Sequence, residues 1–450
     1  MIRTLLRALG AVYFTAFVSF GVQAGGLIGS RGILPFAAYF RAARASLGAA
    51  AYWEIPSILW LSWSDRALAA VWILGAACAI VAAIGYYPRV ALAGCLVLWL
   101  SLCSAGQDFL SYQWDVLLLE AGFLAVFADD SPVRVWLFRW LVFRLMFFSG
   151  AGKLLSGDPA WRNLTALDYH YETQPLPTPL AWYAYQLPMA FQRVSTLFVF
   201  AAELVAPLIF FGPRRFRHAG AGAVILLQLL ILVTGNYTFF NFLTITLALF
   251  LFVEPKRVPR GRAHHAVTSA LATFVGLTSG LLLLELFNLA LPPGGGAVLH
   301  AITPLRIINS YGLFTVMTVQ RPEIVVEGSN DGVHWLAYEF RYKPGGVMRA
   351  PPVVAPHQPR LDWQMWFAAL DSPDRLPWFW RFLQKLLEND RAVTSLLRVN
   401  PFADKPPRFI RAQFFEYTYS SSAEKAKGIW WDRRLLGLYF PAASLGHAGP

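Results

Sequence analysis

Charge is scarce in this chain. Asp, Glu, Lys and Arg make up 14% of its 450 residues, whereas a water-soluble domain carries about 25%. Apolar side chains fill the gap at 56%, which excludes a single soluble globule. Cysteine is scarcer still. Cys78, Cys95 and Cys103 all fall within long apolar runs, with no Cys-x-x-Cys and no zinc-ligand spacing. A disulfide framework or thiol-redox chemistry has no residues to rest on, and the three thiols read as small apolar side chains. No phosphate-binding loop, dinucleotide-binding loop or nucleophile-elbow motif occurs, so the sequence implies no cofactor. No repeat of solenoid period is present. The net charge of +12 is not a nucleic-acid footprint. The basic residues gather in short loops between apolar runs, the pattern of a membrane protein.

Apolar runs of bilayer-spanning length recur along the chain. They lie near 6–27, 67–86, 88–106, 113–127, 133–153, 190–212, 218–235, 237–253 and 267–291. They predict an α-helical polytopic membrane bundle of about nine transmembrane helices over 1–291. Arg3 and Arg7 precede the first run, which is too long for a signal peptide, so a retained first helix is expected. Gly21 and Gly25 in it form a small-xxx-small pair suited to close helix approach. Arg89, Arg134 and the basic stretches 213–218 and 254–266 are expected with the N-terminus in the cytoplasm. External loops 28–66 and 154–189 and everything beyond the Pro292–Gly296 linker then face the other side. That side is the periplasm for a bacterial inner membrane, or the lumen for an endoplasmic reticulum membrane.

Several titratable residues lie inside or beside the apolar runs. Asp115 and Glu120 open the fourth run, and Arg139, Arg144 and Lys153 occupy the fifth. A charge in hydrocarbon is costly, so each is expected to face the interior and pair. Arg139 and Arg144 are both candidate partners for Glu120, and Lys153 can snorkel to the interface. In the second external loop Asp168, His170 and Glu172 alternate. Two carboxylates and one imidazole without a further ligand do not make a metal site, and His170 reads as a hydrogen-bonded interfacial residue. These residues form either structural ion pairs or a polar cavity for a substrate.

The stretch 300–450 predicts one mixed α/β extramembrane domain with a β-hairpin, sandwich-like core. Strands are expected at 313–319, 323–327, 334–342 and 409–419, and helices at 376–388 and 391–398. Between them, Pro356 to Leu370 runs polar, then aromatic, then apolar. Asp362 is expected to cap a short helix at Trp363. Trp363, Trp366 and Phe367 would form one aromatic face, with Arg360 and Asp362 at its mouth. Trp430 and Trp431 precede Arg433 and Arg434. Arg360, Asp362, Trp363, Trp366, Trp430 and Trp431 are the candidate client-contacting surface.

Particular strings make the chain resemble the lipase maturation factor family over nearly its whole length. They are Gln113-Trp114-Asp115 with Leu117 to Glu120, His170 to Pro175, Gly235-Asn236 with Phe239 and Asn241, and Arg321 with Glu323. The remainder are Tyr338-Glu339-Phe340 with Lys343-Pro344-Gly345, Arg360-Leu361-Asp362-Trp363 with Met365 to Ala369, and Asn400-Pro401-Phe402. The resemblance implies a membrane factor that assists folding and assembly of secreted lipases, with its lumenal surface around 323–440 meeting the client. Tyr185 and Tyr342 stand where animal members have His and Cys, so a thiol role borrowed from them has no counterpart here.

Two functions remain open at this level. One is a non-enzymatic folding factor whose exposed aromatics near Trp363, Trp366 or Trp430 shield an exported client. The other is a carboxylase-like membrane enzyme acting on a lipid or protein. It would need Asp115, Glu120, Arg139, Arg144, Lys153, His170 or Glu172 to converge on a cavity.

Overall fold

The computed structural model describes residues 1–446; the last four residues of the 300–450 stretch lie outside it. Among the described residues, nine apolar helical segments build the N-terminal bundle. Seven of them are long and apolar enough to cross a membrane: Ile2–Leu27, Asp65–Ile84, Pro88–Ala105, Pro132–Leu155, Met189–Ile209, Arg214–Thr234 and Arg262–Leu286. The other two, Gln113–Val126 and Phe240–Phe252, are shorter. Fourteen residues reach only about 21 Å at 1.5 Å each, short of the ~30 Å hydrocarbon layer. Both are largely buried within the bundle.

Local chemistry sets the ends of these helices. Ser64 accepts a hydrogen bond from Ala67 N at 3.2 Å and opens Asp65–Ile84. Pro88 and Pro132 start their helices at the position where the missing N–H costs nothing. Ile2–Leu27 and Asp65–Ile84 run antiparallel in close contact. The Trp72 ring packs over Gly21 and the Phe17 ring over Gly75, where any Cβ would collide with the ring. Gly25, the second residue of the expected pair, has open space instead.

The loops at one end of the bundle are held by ion pairs. Asp129 accepts from Arg134 at 3.0 Å, with His264 2.8 Å away, and Asp130 accepts from Arg260 at 2.6 Å. Arg217 donates to Glu254 at 2.6 Å. At the other end, segment 28–66 is not an open loop. It contains the helix Phe36–Leu47, whose Phe36 and Phe40 are buried.

Beyond the bundle, β1 (Arg321–Ser329), β2 (Leu336–Ala337), β5 (Phe409–Tyr419) and β6 (Trp431–Ala443) form an antiparallel sheet in the order β2-β1-β5-β6. β3 (Glu339–Phe340) and β4 (Leu397–Val399) make a separate two-stranded ladder. The expected hairpin survives as the short β1–β2 pairing around the turn at Asp331, whose carboxylate caps Val333 N and His334 N at 2.8 Å each. Helices Arg360–Ala369 and Pro377–Leu387 bury Trp363, Met365, Phe379 and Phe382, with Phe379 against Tyr439 and Phe440 of β6. The helix expected at 391–398 ends at Thr394 and gives way to β4.

Residues 313–319 are not a strand. Their backbone is bound by side chains of the bundle instead. Leu313 O accepts from Lys153 at 2.9 Å, Phe314 O from the Trp161 indole at 2.9 Å, and Met317 N donates to Asp158 at 2.5 Å. β6 shows no alternation because its stretch 432–436 is exposed at every position, whichever face it points to.

Candidate functional site

The titratable residues collect along a buried seam between the bundle and the sheet unit. Its centre is Asp115, in the first turn of Gln113–Val126, facing Arg360, the first residue of Arg360–Ala369. Arg360 Nη1 and Nη2 donate to the two carboxylate oxygens at 2.8 and 2.9 Å, and both side chains are 0% exposed. This fork geometry is the strong form of an Arg–carboxylate pair. Nη1 also donates to Phe109 O at 2.6 Å. The Phe20, Trp99 and Tyr112 rings surround the guanidinium at 5.6–5.9 Å. On the bundle's first helix, Gln23 Oε1 accepts from Arg360 N at 2.9 Å, and Ser19 Oγ accepts from Gln358 N at 2.8 Å.

One turn along, Glu120 pairs with Arg144, not with Arg139. Its other oxygen accepts from Tyr311 Oη at 2.7 Å and Asn309 N at 3.1 Å. Arg144 donates to Asn309 O at 2.9 Å, so the pair grips the segment leading into the sheet. Arg139 points elsewhere and donates to Val253 O at 2.6 Å. Lys153 does not snorkel. It is buried and lies 2.8 Å from Glu203.

A second cluster joins β1 to the external segment after Lys153. Glu323 bridges Arg321 at 2.7 Å and Lys343 at 2.7 Å, with all three buried. Arg321 also donates to Glu172 O at 2.8 Å and Gln174 O at 2.5 Å. The Glu172 carboxylate accepts from Tyr419 N on β5 at 2.6 Å, and burial raises its pKa. Asp168, His170 and Glu172 share the short helix Ala166–Thr173, so alternation in sequence sends His170 to another face. There it stacks on Tyr237 at 6.3 Å between centroids. Asn236 is a third clamp. Its Oδ1 accepts from Val354 N at 2.6 Å and Ala355 N at 3.0 Å, and its Nδ2 donates to Pro352 O at 2.9 Å.

The expected aromatic surface is corrected by burial. Trp363, Trp366 and Trp431 are 2%, 6% and 1% exposed. Trp363 packs edge-on against Trp114 at 4.8 Å, the Trp366 indole donates to Thr173 O at 2.9 Å, and Trp431 stacks on Tyr419 at 4.5 Å. Trp430 is half-buried under the Lys425 ammonium at 3.5 Å. The indoles close the seam because bundle and sheet meet there, which one helix's periodicity does not report.

Asp362 is not the cap of its helix but its third residue, with Pro359 at the cap. Its buried Oδ1 accepts from Tyr342 N and Lys343 N at 2.8 Å each. Burial raises its pKa to about 6, against the pull of those two N–H groups and of Lys343. His357 nearby shifts the opposite way, down to about 4, through burial and then Arg360 and Arg341.

Sequence reading passed over Glu203, Asn309 and Tyr311. Glu203 carried a usable signal, a lone acid in an apolar run. Asn309 and Tyr311 carried none, since their roles depend on Glu120 reaching across nearly two hundred residues.

The paired strings span two known domain families. The profile described as the lipase maturation factor transmembrane domain matches residues 1–257, and the lipase maturation factor C-terminal domain matches 307–441. This chain belongs to the lipase maturation factor family. Lipase maturation factor 2 of Gallus gallus is 37% identical, covering 98% of this chain and 81% of that protein. Lipase maturation factor 2 of Homo sapiens is 35% identical over 98% of this chain and 82% of its own length. Lipase maturation factor 1 of Bos taurus is 35% identical over 98% of this chain and 88% of its own. No solved structure matches the chain. In this chain the strings that carry the resemblance hold the seam together: Asp115 to Arg360, Glu172 to β5, Asn236 to 352–355, and Arg321 to the Glu172 and Gln174 carbonyls.

Proposed function

We propose that this chain is a membrane-bound maturation factor that presents a rigidly held sheet unit to an exported client, with a secreted lipase as the first client to test. The observation behind the reading is the family match over 98% of the chain at 35–37% identity to proteins named lipase maturation factor. The division into a membrane bundle over 1–291 and an external unit over 300–450 belongs to the same proposal. So does its orientation, with the seam on the periplasmic or lumenal side and the basic loops in the cytoplasm.

With Trp363, Trp366 and Trp431 buried, the client surface moves to β6. This edge strand exposes Leu435, Leu436 and Leu438 at 56%, 46% and 61%. An open edge offers backbone hydrogen bonds to an extended client segment. The seam residues then act as a frame. Asp115, Glu120, Arg144 and Lys153 each have a charged partner within the bundle or seam, which fits a scaffold.

The test is the activity per unit mass of a co-expressed secreted lipase. It is measured with the intact chain, without it, and with the Leu435→Ser/Leu438→Ser variant at equal membrane level. The intact chain is expected to raise it and the variant to raise it less. An intact chain that changes nothing across several secreted lipases overturns the reading.

A further inference from the structure

A cavity of about 590 Å³ lies between the bundle helices, the external segment that carries His170, and Leu313 and Phe314. Its volume is within the ~300–1,000 Å³ typical of ligand sites. Met146, Phe198, Leu227 and Ile231 line its apolar part. It is walled by Met189–Ile209 and Arg214–Thr234, where lining residues Phe191, Val194, Leu226 and Leu230 are 47–65% exposed. These positions are exposed on two helices long and apolar enough to cross a membrane, so in a bilayer they would face lipid and the cavity would open toward it. From Lys153 to Leu145, or Thr234 to Leu226, the lining extends eight residues along a helix, about 12 Å. On Met189–Ile209 the lining runs from Phe191 to Glu203, about 18 Å, so the cavity spans roughly half of a ~30 Å hydrocarbon layer.

The polar lining is concentrated at the end nearest the sheet unit. The Lys153 ammonium contacts Glu203 at 2.8 Å and donates to Leu313 O at 2.9 Å. Glu203 is carried on a π-helical turn, Ala201–Val205, a feature that inside α-helices is frequent at functional sites. Gly150 lies against that turn, and a Cβ there would come within 2.9 Å of the Glu203 Cβ. Lys153 and Glu203 cancel each other's charge. His170 lies beside them with its Nε2 3.4 Å from Tyr237 Oη, and burial together with Lys153 lowers its pKa to about 4. At neutral pH this end holds no net charge for an ion, yet it offers hydrogen-bonding groups.

We propose that this cavity binds one acyl chain of an uncharged glycerolipid from the adjoining leaflet, with the hydroxyl or ester oxygens of the head at His170 and Tyr237. The apolar length takes the chain, and the neutral polar end selects against phosphate. The site is independent of which client the sheet unit serves.

The test uses the full chain in phosphatidylcholine nanodiscs. Three diazirine probes are compared: a diacylglycerol, a phosphatidylglycerol and a Leu-rich peptide. The expected result is saturable labelling of 189–199 and 226–234 by the diacylglycerol probe, displaced by unlabelled dioleoylglycerol. Ser195→Trp and Ile231→Trp, which put an indole into the cavity, should weaken it about tenfold, equivalent to about 1.4 kcal/mol. Labelling that does not saturate overturns the site. Equal or stronger labelling by phosphatidylglycerol overturns the uncharged head, and displacement by the peptide overturns a lipid occupant. Competition on the unsubstituted chain decides the question even if both Trp variants misfold.

Discussion

Removing either partner of the Asp115–Arg360 pair should release the sheet unit from the bundle. Both side chains are fully buried and joined by two hydrogen bonds at 2.8 and 2.9 Å. Asp115→Leu leaves a guanidinium without its counter-ion, and Arg360→Met leaves a bare carboxylate. Breaking a buried pair in this way costs about 3–5 kcal/mol. The double variant removes both charges and keeps apolar volume. Its main residual cost is Phe109 O, which loses the Arg360 donor, about 1–3 kcal/mol. Each single variant is therefore expected to be less stable than the double. The assay is thermal unfolding in detergent together with protease cutting of the 287–312 connection, read as a double-mutant cycle. If the double variant is as unstable as the sum of the singles, the pair does not join the two units as described.

Three further outcomes follow from the same contacts. Asp362 and His357 should give opposite pH slopes. The Asp362 pKa is raised from 3.8 to about 6, so its contribution is full below pH 4 and is lost as pH rises through 6. The His357 pKa is lowered from 6.5 to about 4, so its contribution is present above pH 6.5 and is lost as pH falls through 4. The two offset each other between about pH 4 and 6, at about 1.4 kcal/mol per pKa unit. Asp362→Asn should therefore make the chain more acid-labile and His357→Gln less so, as read by unfolding midpoints at pH 4.5 and 6.5; matching slopes would contradict the assignment. Asn236→Leu strands Val354 N, Ala355 N and Pro352 O, each costing about 1–3 kcal/mol if left dry. It should sharply lower folded yield in membranes, while a surface change such as Arg215→Gln should not. Gly21→Leu drives a side chain into Trp72 and should cost at least about 1–3 kcal/mol, whereas Gly25→Leu, into open space, should be close to neutral; equal losses would mean that helix contact is misassigned.

What the sequence determined by itself was local in origin. Apolar runs longer than about 18 residues specify bilayer helices whatever surrounds them. The basic loops follow from the same pattern, and the alternation in β1 and β5 needs only the neighbouring residues. The strings marking the family were legible for the same reason. Which charge meets which was a tertiary decision. Asp115 and Arg360 are 245 residues apart, and nothing near either one names the other. Arg139 and Arg144 looked equivalent as partners for Glu120 until packing turned one of them toward Val253 O. The same holds for exposure. Trp363 and Trp366 form an aromatic stripe on their own helix, and only the arrival of Trp114 and Thr173 from the bundle makes that stripe interior. The alternating run 313–319 fails as a strand because Lys153, Trp161 and Asp158 take its backbone groups first. Periodicity reports which side of an element is apolar; only the fold decides what covers it.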